Sequence, residues 1–197
     1  MSRQQLIENF SLERVTKAPA SFDPKKLWAF QDHYMQALPL KTKVSRMLDY
    51  LQQAKLVATP APCDVGPKLT RIVEAAGDRL KVFGDIIAYA DFFFVDEITY
   101  DEKAFEKNLR KEGAADLLAK FRDALAQTEP FDVPNLEKTL QGFVAEQGIK
   151  IGDIIHVVRV ATTGKAVGAG LYDCLEILGR ETCLQRIDRT LAIVRGT

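Results

Sequence analysis

The segment Thr163-Gly164-Lys165-Ala166 sets glycine amides beside a lysine, a combination suited to cradling phosphate. A phosphate-binding loop also needs a glycine five residues before Gly164 and a hydroxyl directly after the lysine, and here Arg159 and Ala166 occupy those places. The segment is therefore expected to be a flexible link between helices. The acidic pairs Asp96-Glu97 and Asp101-Glu102 have the groups for general acid/base work, which requires carboxylates with shifted pKa values in a sheltered site. At a polar helix junction they are expected to be caps instead, because a carboxylate there accepts exposed amide hydrogens.

His33 and His156 have no acid or cysteine spaced to share a metal with them, and both are expected to be structural. Cys63, Cys174 and Cys183 form no C-x-x-C pair, which points to reduced thiols and no zinc. Phe92-Phe93-Phe94, following Tyr89, offer ring faces on which nucleic-acid bases stack. Three consecutive aromatics project in three directions around a helix, so core packing is the stronger expectation. Arg159 interrupts the apolar run Ile154-Ile-His-Val-Val-Arg-Val160. A half-buried guanidinium wants a planar acceptor, either an acid on the closing helices or an external group.

The elements that must hold these groups read almost throughout as helices, with apolar residues at three- and four-residue spacing and no sustained strict alternation. The fold class is all-α. A first helix signal covers Gln4 to Phe10, and Asp23-Pro24, a capping acid before proline, opens a helix carrying Leu27, Trp28, Phe30, Tyr34 and Met35. After Pro39 the pattern resumes through Val44, Met47, Leu48, Leu51 and Leu56, then yields to a proline-rich linker from Ala58 to Gly66. Further helices are expected over Lys68 to Ala76, Arg79 to Phe94, Asp101 to Arg110, Ala114 to Gln127 and Asn135 to Gln147. Ile151 to Val160 is rich in β-branched residues and taken alone would be a strand; its helical context puts helix slightly ahead. A glycine-rich link, Thr163 to Gly170, leads into helices over Leu171 to Leu178 and Glu181 to Val194.

With 197 residues, 47% of them hydrophobic, the chain can bury one substantial core or two small adjoining ones. Lysine plus arginine equal aspartate plus glutamate at 27 each, so no global basic field draws a nucleic acid, and any RNA contact must come from locally sorted charge. No apolar run approaches the ~20 residues needed to cross a bilayer, and Met1 to Phe10 has no signal-like apolar region, so a cytoplasmic address is expected.

Two separated motifs resemble the glutamyl-tRNA synthetase family of class I aminoacyl-tRNA synthetases. Phe10-Ser-Leu-Glu-Arg-Val-Thr-Lys-Ala-Pro-Ala-Ser-Phe-Asp-Pro-Lys-Lys-Leu27 is similar to the family's stem-contact segment. Arg159-Val-Ala-Thr-Thr-Gly164 with Gly170-Leu-Tyr-Asp-Cys-Leu-Glu-Ile-Leu-Gly-Arg-Glu181 resembles its closing signature in the anticodon-binding helices, and Gly66-Pro-Lys to Phe94 also resembles family members. The resemblance implies a helical bundle or cage with a partial stem-contact region at 1–45 and anticodon-binding subdomains at 46–100 and 101–197. It implies glutamate tRNA as the partner of a monomeric chain, with ATP and magnesium confined to a catalytic part that this chain lacks. Lys41-Thr-Lys43-Val-Ser45-Arg46 has the wrong spacing for the family's lysine-serine loop, and no His-x-Gly-His precedes it, so neither catalytic residues nor a cofactor are expected here.

Carried over by position, the resemblance places Arg159 on anticodon bases and Leu171 at a helix start packed against them, with Arg79 near a second base-reading arginine and Lys81 as its fallback. Where family members commonly have threonine-proline or serine-proline before the glycine-leucine, this chain has Gly168-Ala169, whose backbone groups remain able to contact a base. Arg14, Lys17 and Lys165 are expected on tRNA phosphates, which position a protein without reading sequence. The rival expectation is a free-standing helical protein-interaction module derived from a synthetase tail, which the neutral overall charge permits.

Overall fold

The computed structural model describes residues 2–15, 19 and 21–196, and among these no strand occurs. Eleven α-helices run in order: α1 Arg3–Asn9, α2 Pro24–Ala37, α3 Leu40–Gln53, α4 Val65–Ala76, α5 Asp85–Ala90, α6 Glu102–Asn108, α7 Ala114–Ala126, α8 Val133–Gln147, α9 Ile151–Thr163, α10 Leu171–Leu178 and α11 Arg180–Arg195. Short 3-10 turns cover Leu12–Arg14, Gly77–Arg79 and Asp91–Phe93.

Local chemistry sets most boundaries. The Asp23 carboxylate accepts from the amides of Lys25 and Lys26, with Pro24 at the first helical position where its missing N–H costs nothing. Asp101 accepts from Ala104 N and Asp132 from Asn135 N, starting α6 and α8. Gly148 and Gly164 end α8 and α9 in the left-handed conformation that glycine adopts without penalty. At Gly164 the need is double, because a Cβ there would lie 2.2 Å from the Thr99 carbonyl oxygen. The glycine of the phosphate-loop lookalike is thus a helix cap pressed against another backbone segment.

The β-branched stretch is a helix. Ile154, Val157, Val158, Val160 and Ala161 are all buried, since α9 is packed by α6, α7, α8, α10 and α11 at once. A helix enclosed on most sides loses the polar face that would advertise its period, and its sequence then looks like a core strand. Burial of each large side chain, about 1.5–3 kcal/mol, outweighs the few tenths by which valine and isoleucine disfavour helix.

The expected helix from Arg79 to Phe94 is broken. The Asp85 carboxylate accepts from the amides of Lys81 and Val82 at 2.8 and 3.0 Å, which terminates one turn and starts α5. A second interruption, Asp91–Phe93, follows α5, so Arg79 lies on a turn instead of opening a helix. Phe92 and Phe93 are each 3% exposed with ring centroids 4.2 Å apart, in the core as expected, while Phe94 is half-buried beside Lys68.

The buried residues form one connected cluster from Met35 to Leu191, in which α10 bridges to α4 and so joins the α3–α4 pair to the helices around α9. Residues ahead of Met35 contribute little to it. None of the described ones is buried, and Leu27, Trp28, Phe30 and Tyr34 on α2 are exposed together with Leu6, Ile7, Phe10 and Phe22. No described helix is long and apolar enough to cross a membrane.

Candidate nucleic-acid interface

Two stretches far apart in sequence meet around an open cavity of about 680 Å³: the turn carrying Arg79 with the helix α5 that follows it, and the α9 face that leads into the 165–168 link. Its lining includes Arg79, Tyr89, His156, Arg159, Lys165 and Gly168. The cavity thereby gathers four residues that sequence resemblance had nominated separately, Arg159, Arg79, Lys165 and Gly168.

Arg159 reaches the lining because it is the one long polar residue on an otherwise buried turn of α9, between Val158 and Val160. Its guanidinium forms no salt bridge among the described residues; one nitrogen, Nη1, donates to the Ala169 carbonyl at 2.7 Å. The acid on the closing helices that sequence reasoning allowed for is thus absent, and a backbone carbonyl takes its place. That carbonyl belongs to the Gly168-Ala169 pair, so this link orients the arginine through its backbone. One fork nitrogen is held, and the guanidinium retains further donors for a planar acceptor.

Arg79 is exposed on the cavity rim, where Nη1 donates weakly to the Ala76 carbonyl at 3.3 Å. Lys81, its fallback, lies outside the lining and pairs with Asp32 on α2 at 2.9 Å. Lys165 is already engaged: Nζ meets Asp91 Oδ1 at 2.5 Å, bonds the Ala88 carbonyl, and stands 5.8 Å from the Phe92 ring. A phosphate would have to compete with that carboxylate. The lining holds three cations, Arg79, Arg159 and Lys165, against one acid, Asp85, whose Oδ2 accepts from two backbone amides, so the cavity is positive in character.

Leu171 and Ala169 do not present side chains to this space. They are 3% and 2% exposed and pack in the core, so any contact from this pair with a ligand must come from backbone. Arg14 sits apart on the Leu12–Arg14 turn, donating to the Asn9 carbonyl at 3.3 Å, and Lys17 lies outside the described residues.

Three contributors escaped sequence reasoning. His156, expected to be structural, is exposed in the lining one turn before Arg159; the i, i+3 spacing was the available signal. Val167 is 81% exposed at the lip, an apolar surface of the kind a base covers. Tyr89 faces in from α5 with its hydroxyl buried and without a hydrogen-bond partner. Burial pushes its phenol pKa up, and the nearby Arg79 charge pulls it part of the way back, although no hydrogen bond of acceptable geometry joins the two. Elsewhere, Asp96 and Glu97 do not cap a helix as expected; Glu97 pairs with Arg189 at 2.5 Å. Asp101 does cap α6. No group of metal-ligating side chains occurs among the described residues.

Residues 34–191 match the family model described as an anticodon binding domain. A glutamate–tRNA ligase of Moorella thermoacetica is 34% identical over 192 residues, covering 98% of this chain and 39% of its own length. One from Salinispora arenicola is 37% identical over 183 residues, with 91% and 39% covered. The chain therefore spans less than half the length of these curated relatives. A crystal structure of a glutamate tRNA ligase from Elizabethkingia meningosepticum superposes with a TM-score of 0.83 at 22% identity, over 98% of this chain and 37% of that one, and shares the fold. With the family model covering residues 34–191 and the two ligases aligning over 98% and 91% of this chain, the protein belongs to the anticodon binding domain family, in the form carried by glutamate–tRNA ligases.

Proposed function

We propose that this chain recognises glutamate tRNA through its anticodon loop, as the tRNA-reading part of a glutamate–tRNA ligase whose complete form joins glutamate to tRNA using ATP. The observation that carries this reading is the convergence of Arg79, Arg159, Lys165 and Gly168 on one cavity with no salt bridge consuming either arginine. RNA sequence is read on unstacked single-stranded bases, whose edges a guanidinium fork can satisfy while apolar groups such as Val167 cover a face. The cavity is wide enough for a splayed base, and its rim cations suit the flanking phosphates. Arg14 and Lys17 belong to the stem-contact segment and would meet phosphates at the inner corner of the tRNA, positioning without reading.

The test is a titration of labelled glutamate tRNA against the wild-type chain and Arg159→Ala. Loss of one good guanidinium–base contact is worth about 1–3 kcal/mol, so affinity should fall roughly 5- to 150-fold. Unchanged affinity together with unchanged anticodon preference would remove Arg159 from the interface.

A further inference from the structure

The geometry points to Tyr89 as a base-reading residue of the same cavity, its hydroxyl serving as a hydrogen-bond partner for the edge of a bound nucleobase; this rests on the anticodon-loop reading above. Tyr89 projects from α5, whose Ile86 and Ala90 face the core, and it enters the same lining as Arg79, Arg159 and Gly168. Its hydroxyl is shielded from water yet bonds to nothing in the protein. Buried polar groups are nearly always satisfied, and exceptions cluster where a ligand completes them. Only three side chains among the described residues carry such an atom, and of these Tyr89 alone lines this cavity; the other two belong to Arg180 and Arg186.

What Tyr89 adds is chemically distinct from its neighbours. Guanidinium and ammonium groups only donate, so Arg79, Arg159 and Lys165 can detect acceptors on a base but cannot reward an N–H. A phenol donates and accepts. With its pKa pushed up by burial it stays protonated at neutral pH, ready to read either a carbonyl oxygen or an imino or amino hydrogen. The pyrimidine and purine Watson–Crick edges alternate such groups, and a mixed set of donors and an amphoteric hydroxyl matches them better than cations alone.

The test compares Tyr89→Phe, Arg159→Ala and wild type on glutamate tRNA transcripts carrying the natural anticodon or a single change at each anticodon position. Tyr89→Phe keeps the ring and removes only the orphan hydroxyl, so its thermal midpoint should equal or exceed that of wild type. It should bind the natural transcript about 10-fold more weakly, lose discrimination at one anticodon position, and keep the wild-type salt dependence. If Tyr89→Phe retains affinity and discrimination while Arg159→Ala loses both, the inference about Tyr89 fails and the anticodon reading stands. If wild type itself does not discriminate, both fail. Equal weakening on every transcript would place the hydroxyl on the RNA backbone, and a lowered midpoint would assign it to the fold; either result overturns base reading.

Discussion

Arg159 is held through its side chain by a single strong hydrogen bond to the Ala169 carbonyl, and no acid among the described residues forms a salt bridge with it. Its replacement should therefore separate binding from stability. Arg159→Ala is expected to lower the thermal midpoint by no more than a few degrees, consistent with loss of one hydrogen bond worth about 1 kcal/mol, while weakening tRNA binding as above. Arg159→Lys keeps the charge but not the planar fork, so it should retain salt-sensitive affinity and relax the anticodon preference; filter binding with anticodon variants measures both. The cysteines give a second residue-level expectation. Burial pushes Cys174 up to about 11 and Cys183 up to about 12, whereas Cys63 is exposed. Native protein at pH 8 should present one thiol reactive toward a disulfide reagent, and denatured protein three. Because both buried thiols hold their protons above the ordinary value of 9.0, the folded state binds more protons than the unfolded state at higher pH, and stability should fall as pH rises through 9. At this scale the sequence carried much of the site. Arg159 stood out as a lone charge in an apolar run, and Arg79, Lys165 and Gly168 came from position in a motif. Tyr89 and Val167 did not stand out, because an aromatic on a helix and a valine in a link look the same whether they are buried or at a cavity lip.

At the scale of elements, the periodicity of amphipathic helices was legible because each shows one face to water, and capping signals at Asp23 and Asp101 marked starts correctly. One element was read correctly only from its context and another was misread, for opposite reasons. In α9 the enclosing helices erased the polar face, and between Arg79 and Phe94 a side-chain-to-backbone bond from Asp85 broke a pattern that looked continuous. The C-terminus of α9 is where the site depends most on its supports. Arg186, 4% exposed on α11, donates to the carbonyls of Thr162, Phe92 and Val95 at 2.7–2.8 Å, tying α9 to the turn that carries Phe92 beside Lys165. Burial pulls its pKa down, while carbonyl oxygens at the ends of two helical segments offset part of the desolvation. Arg186→Met strands three buried acceptors and should cost about 3–5 kcal/mol in urea unfolding, with tRNA affinity falling alongside. Gly164→Ala combines left-handed strain with a Cβ driven into the Thr99 carbonyl, and about 2–4 kcal/mol of destabilisation is expected, a drop of roughly 4–16 °C in Tm.

For the whole molecule, a formal net charge of zero means that RNA affinity cannot come from a general electrostatic field. It must come from locally placed cations, chief among them those that the fold gathers at the cavity. Arg79, Arg159 and Lys165 as phosphate or base contacts should contribute about −2 to the slope of log K against log salt, since each single-strand phosphate contact contributes about −0.7, and Arg14 and Lys17 at the inner corner should add to it. A basic protein wrapping the same loop non-specifically would show a steeper slope and little sequence preference. The most direct measurement is the affinity of the wild-type chain for glutamate tRNA against the same tRNA with its anticodon replaced, at fixed salt. Reading by the cavity predicts at least a 10-fold preference for the natural anticodon, about 1.4 kcal/mol or more; equal affinity for the two transcripts would contradict it.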